Sequence, residues 1–226
     1  MQIYGLGHTS RAGKDSLANF MVGDLIEYAP QLKALKRGFA FKLKQICWEL
    51  YSWDGMMPPE YYDTPEGEKA RDIPLPTIGK TPVEIWVAFG TPAVREQVYQ
   101  PTWIDYLLKT DHNCDVLIIP DVRFLNEAEA IKELGGTLVK VVRPGYGPRN
   151  TVADRALLGY TGWDYVVGGT GTMEELHRWA NGFVGVICGS LRMVQTPEDR
   201  AANLAVECLD NVAQEPATTL ATAAGV

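Results

Sequence analysis

Val116-Leu117-Ile118-Ile119 is a run of four aliphatic residues closed by Pro120-Asp121. A strand that is apolar on both faces must be covered on both, which is the situation of a strand inside a parallel sheet packed between helices. Other short apolar segments lie at Ile3 to Leu6, Leu138 to Val142 and Asp164 to Val167, with Phe39-Ala40-Phe41 as a further brief strand candidate. Helical spacing fills the intervals: about 13–28, 43–51, 82–89, 91–108, 126–134 (stopped by Gly135-Gly136) and a helix capped by Thr172 with Glu175 three residues on. This alternation predicts an α/β fold, a five-stranded parallel, doubly wound sheet flanked by helices.

Two stretches interrupt the pattern. Residues 52–80, rich in proline, aromatics and charge, read as a mobile surface segment, and the KALKR run at 33–37 reads as a solvated helix end. Beyond the sheet, a separate helix is expected over 196–213 and a disordered tail over 214–226. With 226 residues, 46% of them hydrophobic, the chain can form one α/β domain with insertions. Its net charge of −7 argues against binding nucleic-acid polymers or anionic membranes. Cys47, Cys114, Cys188 and Cys208 show no C-x-x-C spacing, and with His8, His112 and His177 they make no zinc pattern. A cytoplasmic protein with reduced cysteines is the expectation.

The first strand runs into a small-residue loop, then Gly13-Lys14-Asp15-Ser16, then a helix. That layout is a phosphate-binding P-loop, in which loop and helix-terminal N–H groups face an anion and the lysine adds a point charge. Against G-x-x-x-x-G-K-[ST], His8 stands where the first glycine belongs and Asp15 where the metal-holding hydroxyl belongs. The histidine fits only if its backbone avoids positive φ or Gly7 takes over the bend.

Ligands of open α/β sheets bind at the carboxyl ends of strands. The loop at 7–16, Asp121 and Arg123, Arg143, and the glycine-rich turn at 168–171 should converge there. Asp121 is then the second group able to hold Mg²⁺, although a turn or cap role is common for such an aspartate. Arg95, Arg123, Arg143, Arg149 and Arg155 lie in or beside the irregular segments or at strand ends, where guanidinium forks suit a transferring phosphoryl group. For Arg155 a solvated surface role is at least as good a reading. Trp86 and Phe89 read as core, and His112 and His177 as surface residues. No general base, nucleophile elbow or His–Asp pair stands out. A phosphate-monoester acceptor needs no base, since its second pKa lies near ~6.

Over roughly residues 3–180 the chain resembles the phage-type deoxynucleoside monophosphate kinases, a branch of the P-loop NTPase fold. The motifs that carry the resemblance are Gly13-Lys14-Asp15-Ser16, Phe39-Ala40-Phe41-Lys42-Leu43-Lys44, Gly90-Thr91 with Arg95, Asp121-Val122-Arg123-Phe124-Leu125-Asn126-Glu127, and Arg143-Pro144. The resemblance implies a kinase domain over 1–195, with a monophosphate-binding insertion at about 39–108 and a lid at about 144–160. It implies ATP and Mg²⁺ as cofactors and a deoxynucleoside monophosphate as acceptor. Ser10, Arg11, Ala12, Gly13, Lys14, Asp15 and Ser16 would cradle ATP, and Asp15 and Asp121 would hold the metal. Lys44, Arg95, Trp103, Asp121 and Arg123 would bind the acceptor, and Lys14, Arg123, Arg143 and Arg149 would act in transfer. A lid histidine/serine–glutamate signature expected of relatives is missing from residues 145–161. A homodimer through the C-terminal helix, and the host cytoplasm for a phage-encoded chain, complete the expectation. Two alternatives stand beside it: a kinase of another phosphorylated metabolite, of the dephospho-coenzyme A kinase type, and a non-catalytic nucleotide-binding module. No N-K-x-D for guanine is present.

Overall fold

The computed structural model describes residues 1–147, 152–168 and 171–189. Arg149, the helix expected at 196–213 and the tail at 214–226 lie outside the described residues. In chain order the elements are β1 (Gln2–Gly7), α1 (Lys14–Tyr28), β2 (Ala34–Lys36), α2 (Phe41–Tyr51), α3 (Pro65–Ala70), α4 (Pro82–Ala88), α5 (Thr102–Lys109), β3 (Val116–Val122), α6 (Leu125–Glu133), β4 (Thr137–Val141), α7 (Val152–Arg155), β5 (Tyr165–Val167) and α8 (Met173–Ile187). The five strands form one parallel sheet in the order β2-β3-β1-β4-β5.

The apolar run found in the sequence is the fully buried β3, next to the central β1. Alternation divides the side chains between two faces. Tyr4, Leu6, Val116, Ile118, Val139 and Val141 meet α1 and α8 through Leu17, Met21, Leu25, Trp179 and Phe183. Leu17, Met21 and Leu25 have no exposed surface, and burying each contributes about 1.5–3 kcal/mol. On the other face Ile131 of α6 packs over Gly5 so closely that an added Cβ would lie 2.7 Å from its Cδ1.

The fifth strand is not where the sequence put it. Phe39-Ala40-Phe41 leads into α2, and the edge strand is Ala34–Lys36, inside the run read as a helix end. Lys33 and Lys36 make that run look solvated, yet its backbone pairs with β3 from Ala34↔Val116 to Lys36↔Ile118. The pattern at 91–108 also breaks. A π-helix covers Phe89–Arg95 around Pro92, which cannot donate to a regular helical ladder, and α5 starts afresh at Thr102.

Contacts divide the chain into two units, residues 1–36 with 113–226, and residues 37–112. The second unit has its own core of Leu43, Cys47, Met56, Tyr62, Leu75, Ile85, Trp86 and Trp103. The segment at 52–80 supplies three of these, so it is anchored rather than loose. The buried Asp54 accepts backbone N–H bonds from Thr77 (3.0 Å) and Ile78 (2.8 Å), and the Tyr62 hydroxyl accepts from the backbone N–H of Met57 (3.1 Å). A full capping box opens α4: Thr81 Oγ1 accepts from Glu84 N (3.2 Å) and Glu84 Oε2 from Thr81 N (2.8 Å). The ends of the unit are clasped. His112 Nε2 donates to the carbonyl of Leu107 (2.8 Å), which leaves Nδ1 to accept from Arg37 Nη1 (3.3 Å). Among the described residues no helix is long and apolar enough to cross a membrane.

Candidate active site

The loop between β1 and α1 turns through three residues with positive φ: His8 (89°), Arg11 (61°) and Gly13 (99°). Neither escape foreseen for His8 is taken, because it occupies the left-handed conformation itself and Gly7 does not. Gly7 has a different constraint: a Cβ there would lie 2.4 Å from Cη2 of Trp163. Gly13 stands at the N-cap of α1 and offers no side-chain cap to the helix terminus. The amino end of a 15-residue helix is left facing the loop with its N–H dipoles, the arrangement that receives a phosphate.

Lys14 begins that helix and folds back into the loop. Its side chain is buried, and Nζ donates to the carbonyls of His8 (3.2 Å) and Thr9. Burial pushes the ammonium pKa down to about 8, with the Arg123 cation adding to the shift and Asp15, Asp154 and Asp121 opposing it. The result is a desolvated cation at the base of an anion cradle.

β3 carries Asp121 near its carboxyl end, half-buried, and Arg123 follows directly. Glu127, on the first turn of α6, accepts the backbone N–H of Arg123 (2.9 Å) and of Phe124 (3.2 Å) through Oε2. That fixes the backbone at the strand end. The guanidinium reaches across: Arg123 Nη1 donates to Ser10 Oγ (3.4 Å) and Asp154 Oδ1 (3.3 Å), while Ser10 Oγ donates to Asp154 Oδ1 (2.7 Å).

A cleft opens on the other flank of the loop, between Ala12, Gly13 and Ser16 and the ends of β4 and β5. Val142, Met173, Leu176 and Trp179 make its wall apolar, and Arg143 and Glu175 supply charge. Arg143 packs its stem on Gly171 and its guanidinium carbon 4.4 Å from the ring centroid of Tyr146. Gly168 and Gly171, the described ends of the glycine-rich turn after β5, line this cleft together with Gly13. Glu175 steadies the turn by accepting from the N–H of Gly171 (3.0 Å), and Thr172 caps α8 through the N–H of Glu175 (3.2 Å).

Of the residues singled out in the sequence, Ser10, Lys14, Asp121 and Arg123 come together, and Ala12, Gly13, Ser16 and Arg143 line the cleft. Arg11 is exposed. Asp15 points outward, 70% exposed, and is ion-paired with Lys36 (3.1 Å). Lys44, Arg95 and Trp103 belong to the 37–112 unit. There Lys44 Nζ lies 5.0 Å from the ring centroid of Trp86, Arg95 ends the π-helix, and the buried Trp103 indole donates to the carbonyl of Gly90 (3.0 Å). Trp86 and Phe89 join the core of that unit, as expected. No local pattern marks Asp154 in the sequence, and Glu127 closes the Asp121–Glu127 motif without a role evident from the motif itself. Its signal was an acidic residue in the first turn of a helix, where it can take free N–H groups.

The chain is 28% identical over 193 residues to a protein of Acanthamoeba polyphaga mimivirus named "Putative deoxynucleotide monophosphate kinase", covering 78% of this chain and 93% of that one. It is 33% identical over 94 residues to the deoxynucleotide monophosphate kinase of Enterobacteria phage T4, covering 39% of each. No family model matches. The chain is thus a homologue of viral proteins that carry this name.

Proposed function

From the homology to viral deoxynucleotide monophosphate kinases, and from the buried Lys14 ammonium beneath the uncapped end of α1, we propose that the chain moves the γ-phosphoryl of ATP, in line, to the 5′-phosphate of a deoxynucleoside monophosphate. The Lys14 geometry carries the reading: a desolvated cation within a strand–loop–helix turn suits the phosphates of a nucleotide. The ATP phosphates lie along the loop from Ser10 to Ser16, and the adenosine enters the apolar cleft beside Gly13 and Ser16. Lys14 neutralises charge on the transferring oxygens. Arg123 receives the acceptor phosphate, whose anionic oxygen attacks without a base because its second pKa is near ~6. Arg143, in the lining of the cleft, and Arg149, outside the described residues, would add positive charge to the transfer.

The donor set fits a metal that is bound chiefly by phosphate oxygens. Among the described residues no group of three or more acidic, histidine or cysteine side chains converges, whereas Asp15 and Asp121 both act electrostatically on Lys14. Mg²⁺ held by Asp121 and the phosphates, and by Asp15 on release from its ion pair with Lys36, would supply charge neutralisation to the transfer. Residues 37–112 bind the acceptor through Lys44 and Arg95, while Trp103, buried in the core of that unit with its indole on the Gly90 carbonyl, supports the backbone there instead of touching the acceptor.

A coupled ADP-release assay with ATP and dAMP, dCMP, dGMP and dTMP, run beside their ribose forms and dephospho-coenzyme A, tests this reading. Turnover that depends on a deoxynucleoside monophosphate supports it. Turnover with dephospho-coenzyme A alone, or ATP hydrolysis indifferent to any acceptor, overturns it.

A further inference from the structure

The four-residue helix Val152–Arg155 has no apolar periodicity to mark it. Its Asp154 side chain is nonetheless only 1% exposed and ends between two residues of the phosphate site. Ser10 Oγ is 2.7 Å from Oδ1 and Arg123 Nη1 is 3.3 Å from the same oxygen. A carboxylate there opposes the anion that the site receives, so it needs a compensating purpose. The geometry of Arg123 supplies one. Its backbone is fixed by Glu127, its Nη1 is held by Ser10 and Asp154, and its side chain stays 37% exposed. The guanidinium is therefore tethered at one edge with the remainder accessible to a ligand.

Resting on the reading of Arg123 as a phosphate ligand, we propose that Asp154 is a positioning residue, which sets the Arg123 guanidinium and the Ser10 hydroxyl in one fixed arrangement for phosphoryl transfer. A fork that is already oriented loses less freedom when the phosphate arrives. This contact also makes the short helix Val152–Arg155 part of the site.

The test uses the full chain with Asp154→Ala and the near-isosteric Asp154→Asn, the latter carrying the test if the former does not fold. Positioning predicts a loss in kcat on the order of 10²-fold for Asp154→Ala. KM should stay the same or fall, because repulsion between carboxylate and phosphate has been removed. In an Arg123→Ala background the same change should cost less than about 2-fold. A lower KM at unchanged kcat would make Asp154 a mere competitor for the phosphate site and overturn the inference, as would effects of Asp154 and Arg123 that multiply. Guanidinium NMR of Arg123 gives a readout that needs no turnover: hindered rotation in the wild type, free rotation in Asp154→Ala, and faster rotation than wild type in Asp154→Asn, whose amide oxygen accepts without the charge. Hindered rotation surviving in both variants would overturn the proposal. If the wild type transfers phosphoryl to no acceptor, the functional reading fails and the NMR result decides the positioning role alone.

Discussion

The hydroxyl of Ser10 donates to the buried carboxylate of Asp154 at 2.7 Å, joining positions 144 residues apart. One end of that bond belongs to the phosphate loop and the other to the stretch between β4 and β5. Removing the donor leaves Asp154 with less compensation for its burial. Ser10→Ala should therefore destabilise the protein by about 1–3 kcal/mol, read from urea unfolding. A change of a few tenths would mean that the hydroxyl is replaced by water at no cost.

Lys14 has a pKa near 8 in the folded protein against 10.5 as a free side chain. Below about pH 8 it is charged in both states and its burial penalty is fully present. Between about 8 and 10.5 the unfolded chain holds the extra proton, so the stability contributed by this group rises with pH. The stability of wild type minus that of Lys14→Met should grow across this window by up to about 3 kcal/mol. Lys14→Met should also abolish transfer while remaining folded. In the wild type, kcat/KM for ATP should fall as the pH passes about 8, whereas kcat should hold to higher pH because bound phosphate favours the ammonium. A flat kcat/KM profile through that range would contradict the burial of a titrating ammonium.

His8 has a φ of 89° at the position where the general loop pattern carries glycine. Ala and Gly both remove the imidazole, so the contrast between them isolates the backbone. His8→Gly should be more stable than His8→Ala by about 1 kcal/mol, the reverse of the usual order at an ordinary position. Thermal unfolding of the pair decides it.

Gly7→Ala drives a methyl into Trp163, at 2.4 Å from Cη2. Overpacking of that kind costs about 1–3 kcal/mol. Trp163→Ala opens the space, so in the double variant the alanine at position 7 should lose most of its cost, leaving only the contact with the Val122 carbonyl at 3.2 Å. Additive losses in that cycle would show that the loop entrance does not depend on the indole.

Asp54 is buried, which on its own would raise its carboxyl pKa, but the N–H bonds from Ile78 and Thr77 outweigh this and hold it below the usual range. Its contribution to stability is present at neutral pH and is lost as the pH falls through that lowered value. Asp54→Asn should expose the 52–80 segment to trypsin at Lys69, Arg71 and Lys80 faster than in the wild type.

What the sequence revealed followed from local patterns. β3 was legible as an unbroken apolar run, α1 from apolar residues at helical spacing, and α8 from its Thr172–Glu175 cap. β2 was not, because three residues at a sheet edge, half-buried and ending in Lys36, carry no alternation to read. The 52–80 segment misled for a related reason. Its anchors at Asp54, Met56, Tyr62 and Leu75 are spaced by turns and short 3₁₀ helices, so no period connects them. At the site, the Gly-Lys turn and the strand-end Asp121 and Arg123 follow local rules. Asp154 answers only to tertiary distance.

Residues 37–112 are inserted between two strands that pair directly, with Lys36 beside Ile118. A floppy insertion of that length would charge the β2–β3 pairing a large loop-closure entropy. The Arg37–His112 contact, at 3.3 Å, instead brings the ends of the insertion together once that unit has formed. Order in time follows from this arrangement. The insertion should fold first and deliver β3 to β2 as if across a short link, so pulsed hydrogen exchange should find amides of α2 protected before those of Ala34–Lys36.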